Sequence, residues 1–271
     1  MDLKEKKRKA TEGKFIENEE LEYSSVQKAI SILLAFIPDN KPKGNLELSN
    51  LLGLNKSTVS RLVQVLIHYG LILQDEETRK FALGRTAAQL GMAVEVSQNQ
   101  RLAQYALPFI ESLRDAVGES VCLEALVSGQ GKIISGAIGP PPLSASFPES
   151  NPMHVSAGAK AILAFLGGAA VDSMIHGEFQ RMTENTITDP EVFKDQLEEI
   201  KLLGVAYDHA EANPDIHAVA APIFNHLKKP IAAITICVPA TRVNKILNKS
   251  AVDLLRKTAQ RISDSLFLGN S

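Results

Sequence analysis

The stretch from Gly53 to Leu66, GLNKSTVSRLVQVL, carries two helical patterns at once. Val59, Leu62, Val63 and Leu66 recur at i, i+3, i+4 and i+7 and predict a helix with one apolar stripe, beginning near Asn55 and Lys56. Ser57, Ser60, Arg61 and Gln64 have the same spacing one face round. That second face is polar, positive and free of carboxylates. A helix with one packed face and one face of Arg, Gln, Ser and Lys suits the major groove of DNA. Arg can pair bidentately with guanine and Gln with adenine, while Ser and Lys reach phosphates. An ordinary surface helix also has a polar outer face, so the flanking segments have to decide.

Upstream, Leu46–Leu52 is a short helical pattern closed by Gly53, a residue suited to a helix C-terminal cap. A short helix, a Gly-containing turn and a second helix make a helix-turn-helix. Downstream, Gly70 stops the second helix. Leu71-Ile72-Leu73, a polar turn at Asp75-Glu76-Glu77-Thr78, and Arg79-Lys80-Phe81-Ala82-Leu83 then read as a β-hairpin with basic residues on its return strand, in other words a wing. The expected DNA contacts are Lys56, Ser57, Thr58, Ser60, Arg61 and Gln64 on the helix, with Arg79 and Lys80 on phosphates from the wing.

Charge is consistent with a local rather than a bulk DNA surface. Formal net charge is −2 over 271 residues. Residues 1–85 carry 14 Lys and Arg against 12 Asp and Glu, and residues 86–271 carry 15 against 19. Any DNA affinity must therefore come from a patch. The length suits one large or two ordinary domains. Cys122 and Cys237 each sit in an apolar, strand-like run and read as buried thiols rather than as a disulfide or metal pair. The N-terminus is charged with no apolar segment behind it, and no apolar run is long enough to span a bilayer, so a cytoplasmic setting without a membrane partner is expected.

Before the reader, residues 1–22 form a charged tail with a basic run, Lys4-Glu5-Lys6-Lys7-Arg8-Lys9, and are expected to be disordered. Ser24 or Ser25 can cap a first helix, in which Val26, Ala29, Ile30, Leu33 and Leu34 recur at helical spacing. After the reader, Thr86–Val96 predicts a helix with Ala87, Leu90, Gly91 and Val94 on one side. A linker that packs on a partner subunit is the natural reading, because helix-turn-helix readers work as symmetric dimers on paired half-sites. A new domain opens near Arg101 with an amphipathic helix to Val117. Strands follow at Val121–Val127 and Lys132–Ile138, then an irregular Pro-rich loop from Gly139 to Pro152, and long loops in compact domains are often functional. Helices are expected at Ser156–Leu166, Val171–Phe179 and Glu191–Leu203, the last behind Thr188-Asp189-Pro190. Strands at Val205–Tyr207, His217–Phe224 and Ile231–Val238 and one long final helix from Ile246 to Leu266 complete an α+β sheet domain.

These residues together resemble the IclR family of bacterial transcriptional regulators, from about Ser25 to Phe267. Four stretches carry the resemblance: GLNKSTVSRLVQVLIHYGLI; HVSAGAKAILAFL from His154; TITDPEVFKDQLEEIKLLGVAYDHAE from Thr186; and HAVAAPIFNHLKKPIAAITICVPATRV. The resemblance implies an α+β chain of two domains: an N-terminal winged helix-turn-helix, a linker helix, and a C-terminal GAF-like α/β sheet domain that binds a small effector. The expected limits are 1–22 for the tail, 23–85 for the reader, 86–100 for the linker and 101–271 for the effector domain. It implies dimers or dimers of dimers, and effectors that are small carboxylates or aromatic acids. Carried over by motif, the effector site would use Ala157, Gly158, Asp208, Ala218, Thr235 and Cys237. A helix start at Ala157-Gly158 offers free N–H groups that a carboxylate can approach. Ala218 and Cys237 stand where more polar residues are frequent in the family, which implies a somewhat larger or more apolar acid.

The reading is a ligand-responsive regulator of double-stranded DNA, a repressor rather than an activator, with no cofactor, no catalytic residue and no metal. Two alternatives stay open. An enzyme could use the winged domain to pair subunits, although no nucleophile–base pair, phosphate loop or metal spacing is present; His154, Asp208 and Cys237 are the one conceivable metal set. A protein-interaction module could use the wing without DNA.

Overall fold

The computed structural model describes residues 24–37, 41–141, 145–175, 177–246 and 248–268. The charged tail at 1–22, the Pro38–Asn40 helix stop and Pro142–Ser144 of the Pro-rich loop lie outside the described residues. The chain divides into two compact units, Met1–Glu95 and Val96–Ser271.

In the first unit, α1 (Ser25–Leu34) is capped by Ser24, whose Oγ accepts from the Gln27 N–H while Gln27 Oε1 accepts from the Ser24 N–H at 2.8 Å. α2 (Asn45–Leu52) ends on Gly53, which holds the left-handed φ of 64° that a side chain would resist. The turn is tied twice: the Leu54 N–H donates to the Ser49 carbonyl at 3.1 Å, and Ser49 Oγ donates to the Leu54 carbonyl at 2.5 Å. α3 (Lys56–His68) follows, and it buries Val59, Leu62, Val63 and Leu66, the expected stripe. β1 (Ile72–Gln74) and β2 (Phe81–Leu83) pair antiparallel as the wing. Ile32, Phe36, Leu48, Ile72 and Phe81 complete one core with the α3 stripe.

The first helix departs from its expected stripe. Ile32 and Phe36 are buried and Ala29 and Leu33 pack beside them, whereas Val26 and Ile30 stay 67% and 49% exposed. The helix is apolar on more than one side, and α2 and α3 cover only one of them.

α4 runs without a break from Arg85 to Val117. The expected linker helix and the first helix of the next domain are therefore one element. Ser97–Arg101, between the two apolar stripes, contains polar helix-compatible residues and no Gly or Pro, so nothing ends the helix there.

The second unit holds β3 (Ser120–Val127), β4 (Gln130–Ala137), β5 (Ser150–Pro152), β6 (Ala206–Asp208), β7 (Ile216–Phe224) and β8 (Pro230–Pro239). They form one antiparallel sheet in the order β5-β4-β3-β8-β7-β6. β5 falls inside the stretch expected to lack regular structure; it pairs with the edge of β4 at Gln130, Gly131 and Lys132. The two faces of the sheet differ in size of side chain. Val121, Leu123, Val219, Ala221, Ile223, Ile234, Ile236 and Val238 face the C-terminal part of α4 and the last helix. Residues two apart share a face, so Ala218, Ala220, Ala233 and Cys237 face the other way. There they meet α5 (Ala157–Leu163), α6 (Gly168–Met174) and α7 (Pro190–Leu203).

Two further helices differ from expectation. α6 stops at Met174 rather than Phe179. The final helix is split into α8 (Val243–Ile246) and α9 (Lys249–Leu268), because Asn248 Oδ1 accepts from the Ala251 N–H at 3.1 Å and caps a new helix. α7 begins as expected at Pro190, with Asp189 accepting from Glu191 and Val192 N–H groups.

Candidate functional site

The face expected to read DNA lies on α3. Lys56, Ser57, Ser60, Arg61 and Gln64 are exposed, and Thr58 is half-buried on the flank of the helix. The packed stripe opposite fixes their direction, since Val59, Leu62, Val63 and Leu66 leave no rotation about the helix axis. His68, one turn beyond Gln64, continues the exposed face. The same i+4 spacing that found Gln64 would have found it. On the wing, Arg79 and Lys80 are both exposed. The turn before them is built by Asp75, whose Oδ1 accepts from the Thr78 N–H at 2.7 Å and from Thr78 Oγ1 at 2.6 Å. Arg79 holds a left-handed φ of 57°. Lys80 Nζ lies 4.0 Å from Glu47 Oε1, with both side chains about half exposed. Such a pair contributes little and leaves the lysine able to exchange Glu47 for a phosphate.

The second unit contains a cavity of about 380 Å³ on the small-residue face of the sheet. Five of the six residues expected at an effector site line it: Ala157, Asp208, Ala218, Thr235 and Cys237. They are brought together because Ala218 pairs with Cys237 across β7 and β8, Asp208 pairs with Ala218 across β6 and β7, and Ala157 starts the helix above them. The Pro-rich loop supplies part of the wall through Ser146, Phe147, Pro148 and Asn151.

Gly158, the sixth, does not line the cavity. The Glu124 carboxylate lies against it, so close that a Cβ on Gly158 would collide with that group. Glu124 comes from β3 and is buried. Its Oε1 accepts from Thr235 Oγ1 at 2.6 Å and its Oε2 from Ser156 Oγ, and the Gly158 N–H also donates to it. Burial raises its proton affinity above the ordinary carboxylate range, and these three donors work against that rise. The place expected to receive a ligand carboxylate thus holds one from the chain itself. A single charged residue inside the apolar run SVCLEALV was the available signal, and Cys122 shares its sheet face.

Asp208 closes another side. Its Oδ1 accepts from the Glu211 N–H at 2.6 Å, and burial pushes the carboxyl up to about 7. Behind it, Lys160 is fully buried on α5 and donates to Glu211 Oε2 at 2.6 Å. Burial lowers the Lys160 ammonium and Glu211 opposes that change. Thr186 Oγ1 donates to the Glu211 carbonyl at 2.8 Å and anchors the same turn. The Lys160–Glu211 pair was not anticipated: Lys160 reads as one polar residue in AGAKAILAFL, and its partner is 51 residues away. The two cysteines are free, with Cys122 buried and Cys237 partly so. The Cys237 thiol beside it and then burial raise the Cys122 thiol well above its ordinary value.

His154 is turned elsewhere. Its ring stacks on Phe179 at 4.6 Å between centroids, and Nε2 meets the Gln180 carbonyl at 2.9 Å. It does not join Asp208 and Cys237, and among the described residues no group of three or more His, Cys, Asp or Glu is placed to hold a metal ion. No helix among the described residues is long and apolar enough to cross a membrane.

Two matches to known families cover these two regions. Residues 25–76 match the IclR helix-turn-helix domain, and residues 94–264 match the bacterial transcriptional regulator IclR C-terminal domain. The chain belongs to the IclR family. It is therefore a transcriptional regulator with a DNA-binding helix-turn-helix and a C-terminal ligand-binding domain, and its relatives are regulators rather than enzymes. Among them, the DNA-binding transcriptional repressor YiaJ of Escherichia coli is 29% identical over 243 residues, covering 87% of this chain and 86% of its own. Among solved structures, the Thermotoga maritima IclR superposes with a TM-score of 0.57 at 25% identity, over 89% of this chain and 98% of that one. An IclR homologue from Microbacterium hydrocarbonoxydans complexed with 4-hydroxybenzoate shares the fold, with a TM-score of 0.55 at 22% identity over 90% of this chain and 99% of that one.

Proposed function

We propose that the chain is a repressor that releases its DNA site when a small metabolite fills the cavity in the second unit. The observation that carries this reading is the pairing of an exposed, carboxylate-free Arg, Gln and Ser face on α3 with a separate 380 Å³ cavity, a size that suits a small ligand. The relative YiaJ is a repressor, which supports the sign of regulation. Lys56, Ser57, Thr58, Ser60, Arg61 and Gln64 take the major groove, and Arg79 and Lys80 take phosphates. The functional limits are 1–22 for the tail, 23–85 for the reader, 86–100 for the linker and 101–271 for the effector domain. The protein works as a homodimer or a dimer of dimers. Leu90 and Val94, one turn apart on α4, are 60% and 55% exposed in the single chain, an apolar surface that a second copy would cover.

Ala157, Asp208, Ala218, Thr235 and Cys237 hold the ligand, joined by Glu124 and Ser156. The organic acid that the family resemblance implies is disfavoured here. It would meet Glu124 and Asp208, and among the described lining residues there is no Lys, Arg or His. The metabolite shifts DNA affinity by binding one arrangement of the dimer better, a coupling on the order of 1–3 kcal/mol. A reporter fused to the gene's own upstream region tests the sign. Deleting the gene is expected to raise reporter output several-fold; a fall on deletion identifies an activator.

A further inference from the structure

Resting on the reading of this cavity as the effector site, we propose that its ligand presents hydrogen-bond donors, a protonated amine foremost, to Asp208 beside the Glu124 carboxylate, and is not held by a carboxylate. Three observations converge. First, the ionisable groups among the described lining residues are two carboxyls and two thiols, with no base to pair a ligand carboxylate. Lys160, whose charge acts on Asp208, is committed to Glu211 at 2.6 Å, is fully buried and does not line the cavity.

Second, the two carboxylates are fixed rather than free to turn aside. Glu124 accepts from Ser156, Thr235, the Gly158 N–H and the Cys122 thiol, and Asp208 accepts from the Glu211 and Ala212 N–H groups. A carboxylate offers about four acceptor positions, so Asp208 keeps capacity for a ligand donor, while Glu124 acts on the ligand through its charge. Gly158 is part of this construction, because any side chain there would expel Glu124. Third, the remaining wall is uncharged, apolar at Ala157, Ala218, Ile133, Ile216 and Phe147 and polar at Asn151 and Asn213, and contributes no competing positive charge. Burial raises the proton affinity of both carboxyls, and a bound ammonium would oppose that effect. A third carboxylate would aggravate it, since like charges confined in low dielectric repel strongly.

The test uses full-length protein and two probe series that differ only in one terminal group: gluconate, glucitol and glucamine; and 4-hydroxybenzoate, 4-hydroxybenzamide and 4-hydroxybenzylamine. Dissociation constants come from titration calorimetry at about pH 8, above the Asp208 value of about 7. In at least one series the amine is expected to bind tenfold or more tightly than the acid, with the acid never the tighter. Glu124→Gln keeps the shape and the acceptor for Thr235 but removes the charge, and it should cut the amine's advantage at least fivefold. An acid that binds more tightly than its amine in either series, no binding by any amine or polyol, or an advantage undiminished in Glu124→Gln overturns the proposal. The titrations read the cavity alone. Ligand order as expected with no effect on DNA binding would sink the repressor reading and leave this inference standing.

Discussion

At the scale of single residues, the α3 face and the cavity obey different rules. Arg61 is exposed, so its removal should act on DNA rather than on folding. If it reads a base, Arg61→Ala weakens specific binding by about 1–3 kcal/mol, measured by anisotropy on the cognate site. Unchanged affinity would remove Arg61 from the readout. Asp208 makes a prediction in pH. Its ordinary value is 3.8 and its folded value is about 7. Between those values the unfolded chain has released the proton and the folded chain keeps it. Asp208 therefore favours the folded state at low pH, and that advantage is lost as pH rises through about 7. Its contribution falls by at most about 1.4 kcal/mol per pH unit across the window, with Lys160 and Glu211 sharing the network. Asp208→Asn should flatten the dependence of Tm on pH between about 4 and 7. A slope identical to that of the unaltered protein would contradict this assignment. Five of the six residues that the family resemblance implies line the cavity. Glu124 was not legible in the sequence, because the partners that make an acid tolerable there, Ser156 and Thr235, are 32 and 111 residues away.

At the scale of elements, what is short-ranged in cause was readable and what depends on contact was not. The α3 stripe, the Gly53 cap and the Asp189-Pro190 start of α7 follow from spacing and capping chemistry, and each is where it was expected. The continuity of α4 was missed because two apolar stripes with a polar stretch between them look like two helices. The exposed second side of α1 was missed for a related reason: periodicity says which residues can be buried, not which side a neighbour covers. The wing, by contrast, needed only a turn signal and two short runs, and β1 and β2 pair as a hairpin; β2 starts at Phe81, so Arg79 and Lys80 stand in the turn rather than on the return strand where they were expected. Packing makes α3 the centre of the first unit. Leu62 is 7% exposed and touches a core drawn from α1, α2, the wing and α3 itself. Leu62→Ala should destabilise this unit by about 2–5 kcal/mol, from lost transfer energy plus the cavity left behind. In urea the earlier transition should move to lower concentration while the ligand-binding unit unfolds as before. A single unshifted transition would show that Leu62 does not support the reader.

At the scale of the whole molecule, two units with different charge carry two tasks. The first presents a basic patch without making the chain basic, since net charge is −2 overall. Affinity for DNA must then rest on a small number of phosphate neutralisations plus base contacts, and it must depend steeply on salt. The second unit holds a cavity whose walls come from both edges and the centre of one sheet. The most direct measurement is binding of the full chain to a labelled fragment of the gene's own upstream region and to a scrambled duplex of equal length, at two salt concentrations. Tighter binding to the upstream fragment, falling steeply as salt rises, is the expected result. Equal, salt-insensitive binding to both duplexes would contradict a DNA-reading role for the α3 face.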